Sequence, residues 1–321
     1  DEWTVEEALA YIRVHGKNSE TLNHVFVVDD RGRLVDDIRI GELLIIPLDT
    51  KISDIRDANF TALRVTDPQS EAVKIFRKYD RSTLPVVDGA GVLVGIVTAD
   101  DVLDVAEEEA TKEIQKIGGT EALDEPYLTI PILTMIRKRG PWLVVLLLGE
   151  MLTSTALARY EDQLAKTVLL SLFLPLIISS GGNSGSQAST LIIRAMAIGE
   201  IHLRDWWRVM RKEILSGTLL GLILGLLGGG RLAFWAYTTE QWKGESVYGP
   251  HWGLLSITIG VALAGVTLWG TLAGSMLPFI LRRLGLDPAT SSAPFVSTLV
   301  DVTGLILYLN VAILILRGTL L

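Results

Sequence analysis

Five apolar stretches fill the second half of this chain, and no other feature constrains its fold as much. They cover residues 141–160, 168–198, 214–237, 251–281 and 293–316. Each approaches or exceeds the roughly 20 residues that an α-helix needs to cross a hydrocarbon core about 30 Å thick. Buried helices of a soluble enzyme are the alternative, but their apolar stretches are typically shorter. We therefore predict an all-α membrane domain of five helices over residues 139–321.

Basic residues predict the orientation of this domain, because cytoplasmic loops carry an excess of Lys and Arg. The basic residues cluster before the first stretch, between the second and third, and between the fourth and fifth. They are Arg137, Lys138, Arg139, Arg194, Arg204, Arg208, Arg211, Lys212, Arg282 and Arg283. We therefore expect a multi-pass protein of the cell (inner) membrane, with the preceding half of the chain in the cytosol and the C-terminus on the external side.

That preceding half is acidic. Residues 1–139 hold 27 acidic and 17 basic side chains, which gives a charge of −10. Nucleic-acid binding requires Lys and Arg that displace condensed counterions, so nucleic acid is a poor partner. Bound cations are compatible with this charge. The sequence has no cysteine, which excludes thiolate metal sites.

An internal repeat organises the acidic half. Residues 25–44 (VFVVDDRGRLVDDIRIGELL) align with residues 85–103 (PVVDGAGVLVGIVTADDVL), and Asp29 falls on Asp88. Each copy predicts a strand, an Asp/Gly turn, a second strand and a short helix. A further helix should precede each hairpin, beginning at Thr4 in the first copy and at Asp67–Pro68 in the second.

This helix–strand–strand–helix repeat resembles the CBS-domain pair, also called a Bateman module. The resemblance implies an α/β fold, with a first CBS domain over residues 1–47 that lacks its upstream strand and a second over 48–108. CBS pairs sense small ligands, often adenine nucleotides, and regulate an attached domain. ATP is therefore a candidate ligand, although no residue of this sequence decides the matter.

Two polar features inside the apolar stretches need an explanation. The first is residues 175–189 (PLIISSGGNSGSQAS), where Gly181, Gly182 and Gly185 favour either a break in the helix or close contact between helices. A break would free backbone carbonyls, which with Asn183 and Gln187 could face a hydrated ion. Packing by small residues is the alternative.

The second feature is Asp301, which lies between Val300 and Val302 in the fifth stretch. An ionised carboxylate at the centre of a bilayer costs at least about 2.5–3.5 kcal/mol, so it should face a wet cavity or a cation. Gly304, one turn along, leaves room beside it. Hydrogen bonding to neighbouring helices alone is the alternative.

Together these parts resemble the MgtE family of magnesium channels and transporters. PLIISSGGNSGSQAS and TLVDVTG carry the match, and the order of CBS repeats, connecting helix and five spans agrees over nearly the whole chain. The resemblance implies a homodimer in a lipid bilayer with one pore between the two membrane domains. Asp301 from both subunits would form the central Mg²⁺ site, with Asn183 and the backbone of Gly181 and Gly182 nearby, and Gly304 would line the pore.

Mg²⁺ suits this arrangement, since it prefers oxygen ligands and gives up its water reluctantly. In the external loop, Glu161 and Asp162 are candidates for a mouth that concentrates cations, with an ordinary solvated loop as the alternative. A potential of 100 mV is worth roughly 4.6 kcal/mol to a divalent ion, so uptake can be passive. We predict a Mg²⁺ channel.

The resemblance also implies regulation. Mg²⁺ bound to the acidic CBS domains would close the channel through a plug-like connecting helix, expected within residues 109–138. Asp287, between the fourth and fifth spans, matches a family position that binds this regulatory ion. Five further candidates follow the second hairpin, each with a solvated helix face as the alternative: Asp100, Asp101, Asp104, Glu107 and Glu109. Family members usually carry an acidic helical N-domain before the CBS pair, and this sequence is expected to lack that part of the sensor.

Two other functions are compatible with parts of this sequence to different degrees. A proton- or sodium-coupled transporter stays open, because Glu150 in the first span could form a proton relay with Asp301. A membrane enzyme is disfavoured, since the sequence has no H-E-x-x-H zinc site and no Ser–His pair at membrane depth. The histidines are His15, His24, His202 and His251. Oxygen ligands do not separate Mg²⁺ from Mn²⁺, Co²⁺ or Ca²⁺.

Overall fold

The structure is a computed structural model that describes residues 2–57, 59–79, 81–123, 125–290 and 292–320. The chain divides into two compact units, Asp1–Thr111 and Lys112–Leu321. Asp1 and Leu321, the outer bounds of the predicted domains, lie outside the described residues. Each unit has its own hydrophobic core.

The first unit contains two copies of one hairpin motif. The first copy comprises α1 (Val5–His15), β1 (His24–Val28), β2 (Leu34–Arg39), α2 (Ile40–Ile45) and α3 (Ile52–Ile55). The second comprises β3 (Leu63–Arg64), α4 (Gln69–Tyr79), β4 (Thr83–Val87), β5 (Leu93–Thr98) and α5 (Ala99–Ile117). β1 pairs antiparallel with β2, whereas β3 pairs parallel with β4 and β4 antiparallel with β5. Within the described residues the first sheet therefore has two strands and the second three. Whether the first copy lacks an upstream strand stays a prediction.

The two turns repeat each other in detail. Asp29 Oδ1 accepts hydrogen bonds from the N–H groups of Arg31 (2.9 Å) and Arg33 (2.8 Å). Asp88 Oδ1 accepts the equivalent bonds from Ala90 (2.8 Å) and Val92 (2.9 Å). A carboxylate that bonds its own turn in this way favours the reversal of the chain. The alignment of the two copies therefore predicted their local geometry correctly.

The turns also join the two hairpins. Leu34 N–H donates to Gly91 O (3.0 Å), and Leu93 N–H donates to Gly32 O (2.9 Å). Gly32 and Gly91 have φ values of 74° and 83°, a left-handed conformation that other L-residues rarely adopt. The repeat thus produces a pair of reciprocal backbone bonds at the centre of the unit.

Helix starts in this unit largely follow the sequence. Glu7 N–H donates to Thr4 Oγ1 (3.3 Å), and Thr4 N–H donates to Glu7 Oε2 (2.8 Å), so the predicted capping box is confirmed. α4 begins at Gln69, just beyond Asp67–Pro68, and Asp67 Oδ2 accepts from Arg64 N–H (2.8 Å) in the preceding turn. α5 continues through residue 108, so the last helix of the second hairpin and the predicted start of the linker are one helix.

Among its described residues, the second unit contains five helices that are long and apolar enough to cross a membrane. They are α6 (Ile132–Ala158), α8 (Val168–Ala197), α9 (Trp206–Lys243), α10 (Trp252–Arg283) and α11 (Ala293–Leu316), with the short α7 (Glu161–Lys166) after α6. The predicted spans are confirmed, but α6 and α9 begin eight or more residues earlier than their apolar stretches. Charged residues continue these helices beyond the apolar region, so hydropathy locates the span and not the helix end.

Glycines bring three helices of this unit into backbone contact. α10 packs against α8, α9 and α11, while α6 packs against α11. A Cβ on Gly221 would lie 2.6 Å from Ala264 O, and one on Gly225 would lie 2.5 Å from Gly260 O. Only glycine permits such an approach of α9 to α10, which is how helices in lipid gain van der Waals contact.

Candidate functional site

The glycine-rich segment of α8 forms a continuous helix. α8 runs unbroken from Val168 to Ala197. The sequence left two interpretations of these glycines open: a break in the helix is therefore wrong, and close contact between helices is confirmed. A Cβ on Gly185 would lie 2.9 Å from Gly270 O, and one on Gly181 would lie 2.9 Å from Val300 Cγ1. Because the backbone stays helical, its carbonyls are not freed for an ion here. A direct part for Gly181 and Gly182 in ion binding stays a prediction.

Asp301 lies beside Gly182. A Cβ on Gly182 would stand 3.4 Å from Asp301 Oδ1 and 2.5 Å from Ser297 Oγ. Ser297 is one turn before Asp301 on α11, so both side chains are on the face that meets α8. Sequence reasoning missed Ser297, although its i−4 spacing from Asp301 was a usable signal. The missing side chain at position 182 leaves room for a carboxylate and a hydroxyl between two spanning helices.

Next to this carboxylate, α8 exposes a polar stripe. We define it as Ser179, Asn183 and Gln187, which recur every four residues and are exposed in the single chain. Asn183 Nδ2 donates to Ser179 Oγ at 3.4 Å, and no other side-chain hydrogen bond of Asn183 is found in the part of the chain that the structure describes. Leu172, Leu176 and Leu191 continue the same face in both directions, so the polar section is confined to the middle of the helix.

The predicted pore residue Gly304 has a different surrounding. It is buried, and a Cβ there would lie 3.0 Å from Val266 Cγ1. This glycine admits close packing of α11 against α10 in the single chain. Whether it also borders a pore stays a prediction.

Three further carboxylates that the sequence singled out for the ion path lie in α6 and α7. Glu150 of α6 is exposed, and a Cβ on the adjacent Gly149 would lie 2.7 Å from Thr298 Cγ2 of α11, so α6 packs against α11 close to Asp301. Glu161 and Asp162 are exposed at the start of α7, in the connection between α6 and α8. The structure therefore brings Glu150 toward Asp301, and it leaves Glu161 and Asp162 at one end of the bundle.

Asp287, the predicted regulatory ligand, forms an ion pair. Its Oδ2 lies 2.8 Å from Lys116 Nζ in the last turn of α5, and its Oδ1 accepts from Ala289 N–H at 3.0 Å. Partial burial opposes ionisation, but the bonds from Lys116 and Ala289 outweigh it and hold the pKa of Asp287 below its usual range. Lys116 was missed from sequence, where a Lys near a helix C-terminus reads as ordinary dipole stabilisation.

The pair borders a cavity of about 280 Å³ in the second unit. Its lining includes Gly119, Lys138, Trp142 and Ser292. Gly119 has a φ of 74°, and a Cβ there would lie 2.7 Å from Trp142 Nε1, which itself donates to Ser292 Oγ at 3.2 Å. The turn after α5 is therefore held against the starts of α6 and α11.

The remaining regulatory candidates all lie on α5. Asp100, Asp101, Asp104, Glu107 and Glu109 are exposed. Thr98 Oγ1 donates to Asp101 Oδ2 at 2.7 Å, and bonding at Thr98 together with backbone N–H groups lowers the pKa of Asp100. Within the described residues no three His, Cys, Asp or Glu side chains are placed to share one metal ion. A role for these five in Mg²⁺ binding stays a prediction.

Comparisons with known proteins identify the family. A family model described as MgtE, divalent cation transporter, matches residues 174–311, and a CBS-domain model matches residues 52–108. The magnesium transporter MgtE of Thermus thermophilus is 41% identical over 315 residues, covering 98% of this chain and 67% of that protein. This chain belongs to the MgtE family.

Other members and structures are also similar. The magnesium transporter MgtE of Enterococcus faecalis is 30% identical over 98% of this chain, and the chain spans about two thirds of the length of both relatives. A solved cytosolic domain of the Mg²⁺ channel MgtE in complex with ATP is 38% identical, with a TM-score of 0.32 over 32% of this chain and 42% of that one. The matched MgtE region runs from α8 to α11 and therefore contains the polar stripe, Gly182 and Asp301.

Proposed function

We propose that this MgtE family member is a magnesium channel that conducts Mg²⁺ along the polar stripe of α8 and past Asp301 of α11. The observation that carries the proposal is that a carboxylate and three exposed polar side chains lie in the middle of apolar helices. Lipid offers them no hydrogen bonds, so they require water, an ion or protein. An aqueous path for a hydrated cation satisfies that requirement.

A second copy of the chain would complete this path. In the single chain the polar stripe is uncovered, and α6 buries none of its residues. In a homodimer the two stripes would face each other, and two Asp301 carboxylates would present hard oxygen ligands to one ion. Mg²⁺ keeps most of its water, so it can be held by few carboxylates without a tight protein cage.

Cytosolic Mg²⁺ would gate the channel. The acidic half of the chain attracts cations, and α5 leads from the second hairpin directly to Lys116, which bonds Asp287 just before α11. Ions bound to acidic residues would change the position of α5 and so act on the helix that carries Asp301. In this proposal the CBS unit lies in the cytosol and the C-terminus outside, as the excess of Lys and Arg in three connections predicts.

An ion-coupled transporter is the second candidate. The packing of α6 against α11 beside Glu150 and Asp301 is the observation that favours it, because intramembrane carboxylates that lie near each other are typical of proton relays. Proton coupling would make Mg²⁺ uptake depend on a pH gradient, whereas a channel responds to the membrane potential and the Mg²⁺ gradient alone. Glu150→Gln would abolish the coupled activity and leave a channel largely intact.

Mg²⁺ influx into proteoliposomes tests the proposal. The parent chain, Asp301→Asn and the control Glu245→Gln are compared under an inside-negative potential with no pH gradient; Glu245 is an exposed carboxylate of the same unit. Loss of one charged ligand should lower influx in Asp301→Asn by roughly tenfold or more, with the control unchanged. Equal influx in all three proteins would remove Asp301 from the path. If the parent chain takes up Mg²⁺ only after a pH gradient is added, the coupled transporter is favoured.

A further inference from the structure

The start of α9 extends well beyond the part of that helix that lies in lipid. α9 has 38 residues, so it is roughly 57 Å long at about 1.5 Å per residue. Its apolar part begins at residue 214. The eight residues before that point rise about 12 Å, which exceeds the headgroup layer of roughly 5–8 Å on one side of a bilayer. The first two turns of α9 therefore pass through the headgroups.

These two turns have one packed face and one open face. Val209 is buried in a cluster with Ile192, Met196 and Phe279, which fixes that face against α8 and α10. The open face carries Trp207, Arg208, Arg211 and Lys212, and Arg204 precedes it. All five side chains are exposed. We call these five residues the α9 basic face.

Aromatic and cationic groups are combined on the α9 basic face. Arg211 Cζ lies 5.0 Å from the centre of the Trp207 ring, and Trp206 packs edge-on against Trp207 at 5.4 Å. Trp206 and Trp207 nevertheless remain 49% and 45% exposed. Stacking on Trp207 holds the Arg211 guanidinium in place while its N–H groups stay available to a planar or tetrahedral oxyanion.

The acidic neighbours leave this face positive. Asp205 Oδ1 accepts from Arg208 Nη1 at 3.2 Å. Between residues 203 and 212 there are four basic side chains and one acidic side chain. Glu213 is half-buried on the other side of the helix, and Glu200 precedes the turn. At the same end of the bundle, Arg194, Arg282 and Arg283 add further positive charge.

We propose that the α9 basic face binds the phosphate group of an anionic phospholipid. Arg208 and Arg211 hold the phosphate, and the two tryptophans lie at the boundary between headgroups and acyl chains, where such rings are enriched. A lipid is favoured over an acidic protein surface because the continuation of this face, through Ile214 and Leu215, is apolar and exposed. One ligand with an anionic head and an apolar tail satisfies both parts.

Reconstitution in lipid nanodiscs tests this proposal, which does not depend on ion conduction. The parent chain is placed in phosphatidylcholine discs with and without phosphatidylglycerol, and its thermal midpoint is measured together with the number of phosphatidylglycerol molecules retained in native mass spectrometry. Arg211→Gln and the pair Arg208→Gln with Arg211→Gln are compared with Arg231→Gln. Arg231 is exposed on the same helix near its other end, so it controls for the loss of one charge.

The expected result is that phosphatidylglycerol raises the midpoint of the parent and of Arg231→Gln, and that the double variant loses at least half of this increase. Each basic group near an anionic surface strengthens binding roughly fivefold. The number of phosphatidylglycerol molecules that the double variant retains should therefore fall severalfold. Equal thermal midpoints of all proteins in pure phosphatidylcholine show that the variants fold. A variant that does not fold is replaced by Trp207→Leu, which should also lose at least half of the increase in midpoint. Equal increases in parent and variant would overturn the proposal. So would an equal effect of inorganic phosphate, which would assign the face to free anions. Equal increases with phosphatidylglycerol would leave an acidic protein surface as the partner of this face.

Discussion

Lys116 Nζ lies 2.8 Å from Asp287 Oδ2, so the last turn of α5 is joined to the connection between α10 and α11. Both side chains are about half exposed, which makes this a weak pair by itself. Its position gives it importance, since α11 begins six residues after Asp287 and carries Asp301. If Mg²⁺ binds Asp287 to close the channel, the Lys116 ammonium competes with that ion for the same carboxylate.

Replacing Lys116 should therefore sensitise the channel to cytosolic Mg²⁺. In Lys116→Gln we expect half-maximal closure at a Mg²⁺ concentration roughly two- to fivefold lower. A surface ion pair contributes up to about 1 kcal/mol, so removing the competing Lys116 can lower the closing concentration by this factor. Flux in proteoliposomes with graded internal Mg²⁺ measures this shift. Arg283→Gln, which removes an exposed charge from the end of α10, should not reproduce it. An unchanged or higher closing concentration in Lys116→Gln would argue against competition.

A methyl group at Gly182 should disturb the Asp301 site. In Gly182→Ala the new Cβ would meet Ser297 Oγ at 2.5 Å and Asp301 Oδ1 at 3.4 Å, so the Ser297 hydroxyl must shift in the space that it shares with the carboxylate. We expect Mg²⁺ influx to fall by about tenfold or more, as for the loss of a charged contact. Gly182→Ala combined with Ser297→Ala removes the clashing oxygen and should recover much of the influx. Failure of this rescue would show that the space at residue 182 serves helix packing and not the carboxylate.

Helix packing itself should depend on Gly274. A Cβ there would enter the backbone of Gly185 on α8, where no side-chain movement can relieve the clash. Overpacking of this kind typically costs about 1–3 kcal/mol, and backbone contact places Gly274→Ala at the upper end. Thermal unfolding in detergent measures the loss. Gly230→Ala is the matched control, because a Cβ at Gly230 meets nothing within 4 Å. Equal midpoints for the two variants would contradict the packing described here.

The first hairpin should lose stability on mild acidification. Burial lowers the pKa of His24 despite the neighbouring Asp37 carboxylate, so the unfolded chain takes up a proton near pH 6.5 that the folded chain resists. Stability should therefore fall as pH decreases from about 7 toward 5. Burial raises the pKa of Asp37, which works in the opposite direction. Hydrogen exchange of β1 and β2, corrected for intrinsic rates, measures the net effect.

A His24→Gln variant identifies the group responsible. It should flatten this pH dependence, because glutamine does not titrate. Asp29→Asn is a useful comparison: it alters a turn carboxylate whose backbone bonds lower its pKa, so its effect belongs to more acidic conditions. An unaltered slope between pH 7 and 5 in His24→Gln would assign the dependence to another group.

Much of the fold could be predicted from the sequence because its signals are local or repeated. The capping box at Thr4, the Asp/Gly turns and the five apolar stretches each depend on neighbouring residues, and the structure confirms them. Helix ends were less predictable: α9 starts at Trp206 because its basic residues continue the helix into the headgroups. Hydropathy does not register such an extension.

The site was only partly predictable. Asp301 and Asn183 stand out as polar groups in apolar helices, and this signal needs no tertiary information. Whether Gly181, Gly182 and Gly185 break α8 or pack it depends on what faces them. The backbone of α10 at Gly270 and Gly274 lies against the glycines of α8, so they pack the two helices together. No sequence pattern specifies this contact. Lys116 was missed for the same reason, since its partner Asp287 is distant in sequence. Ser297 was missed although its spacing of four residues from Asp301 was a local signal.

The polar stripe of α8 should border an aqueous ion path. The chain has no cysteine, so single cysteines can be placed without a background signal. Cysteines at Ser179, Asn183 and Gln187 should react with a charged, membrane-impermeant thiol reagent in proteoliposomes, and Mg²⁺ should slow the reaction at Asn183. Cysteines at Leu172 and Leu191 on the same face test whether exposure alone suffices, and we expect them to react at least tenfold more slowly in the lipid core. Equal, slow reaction at all five positions would place the stripe in lipid or in a dry interface and contradict the account.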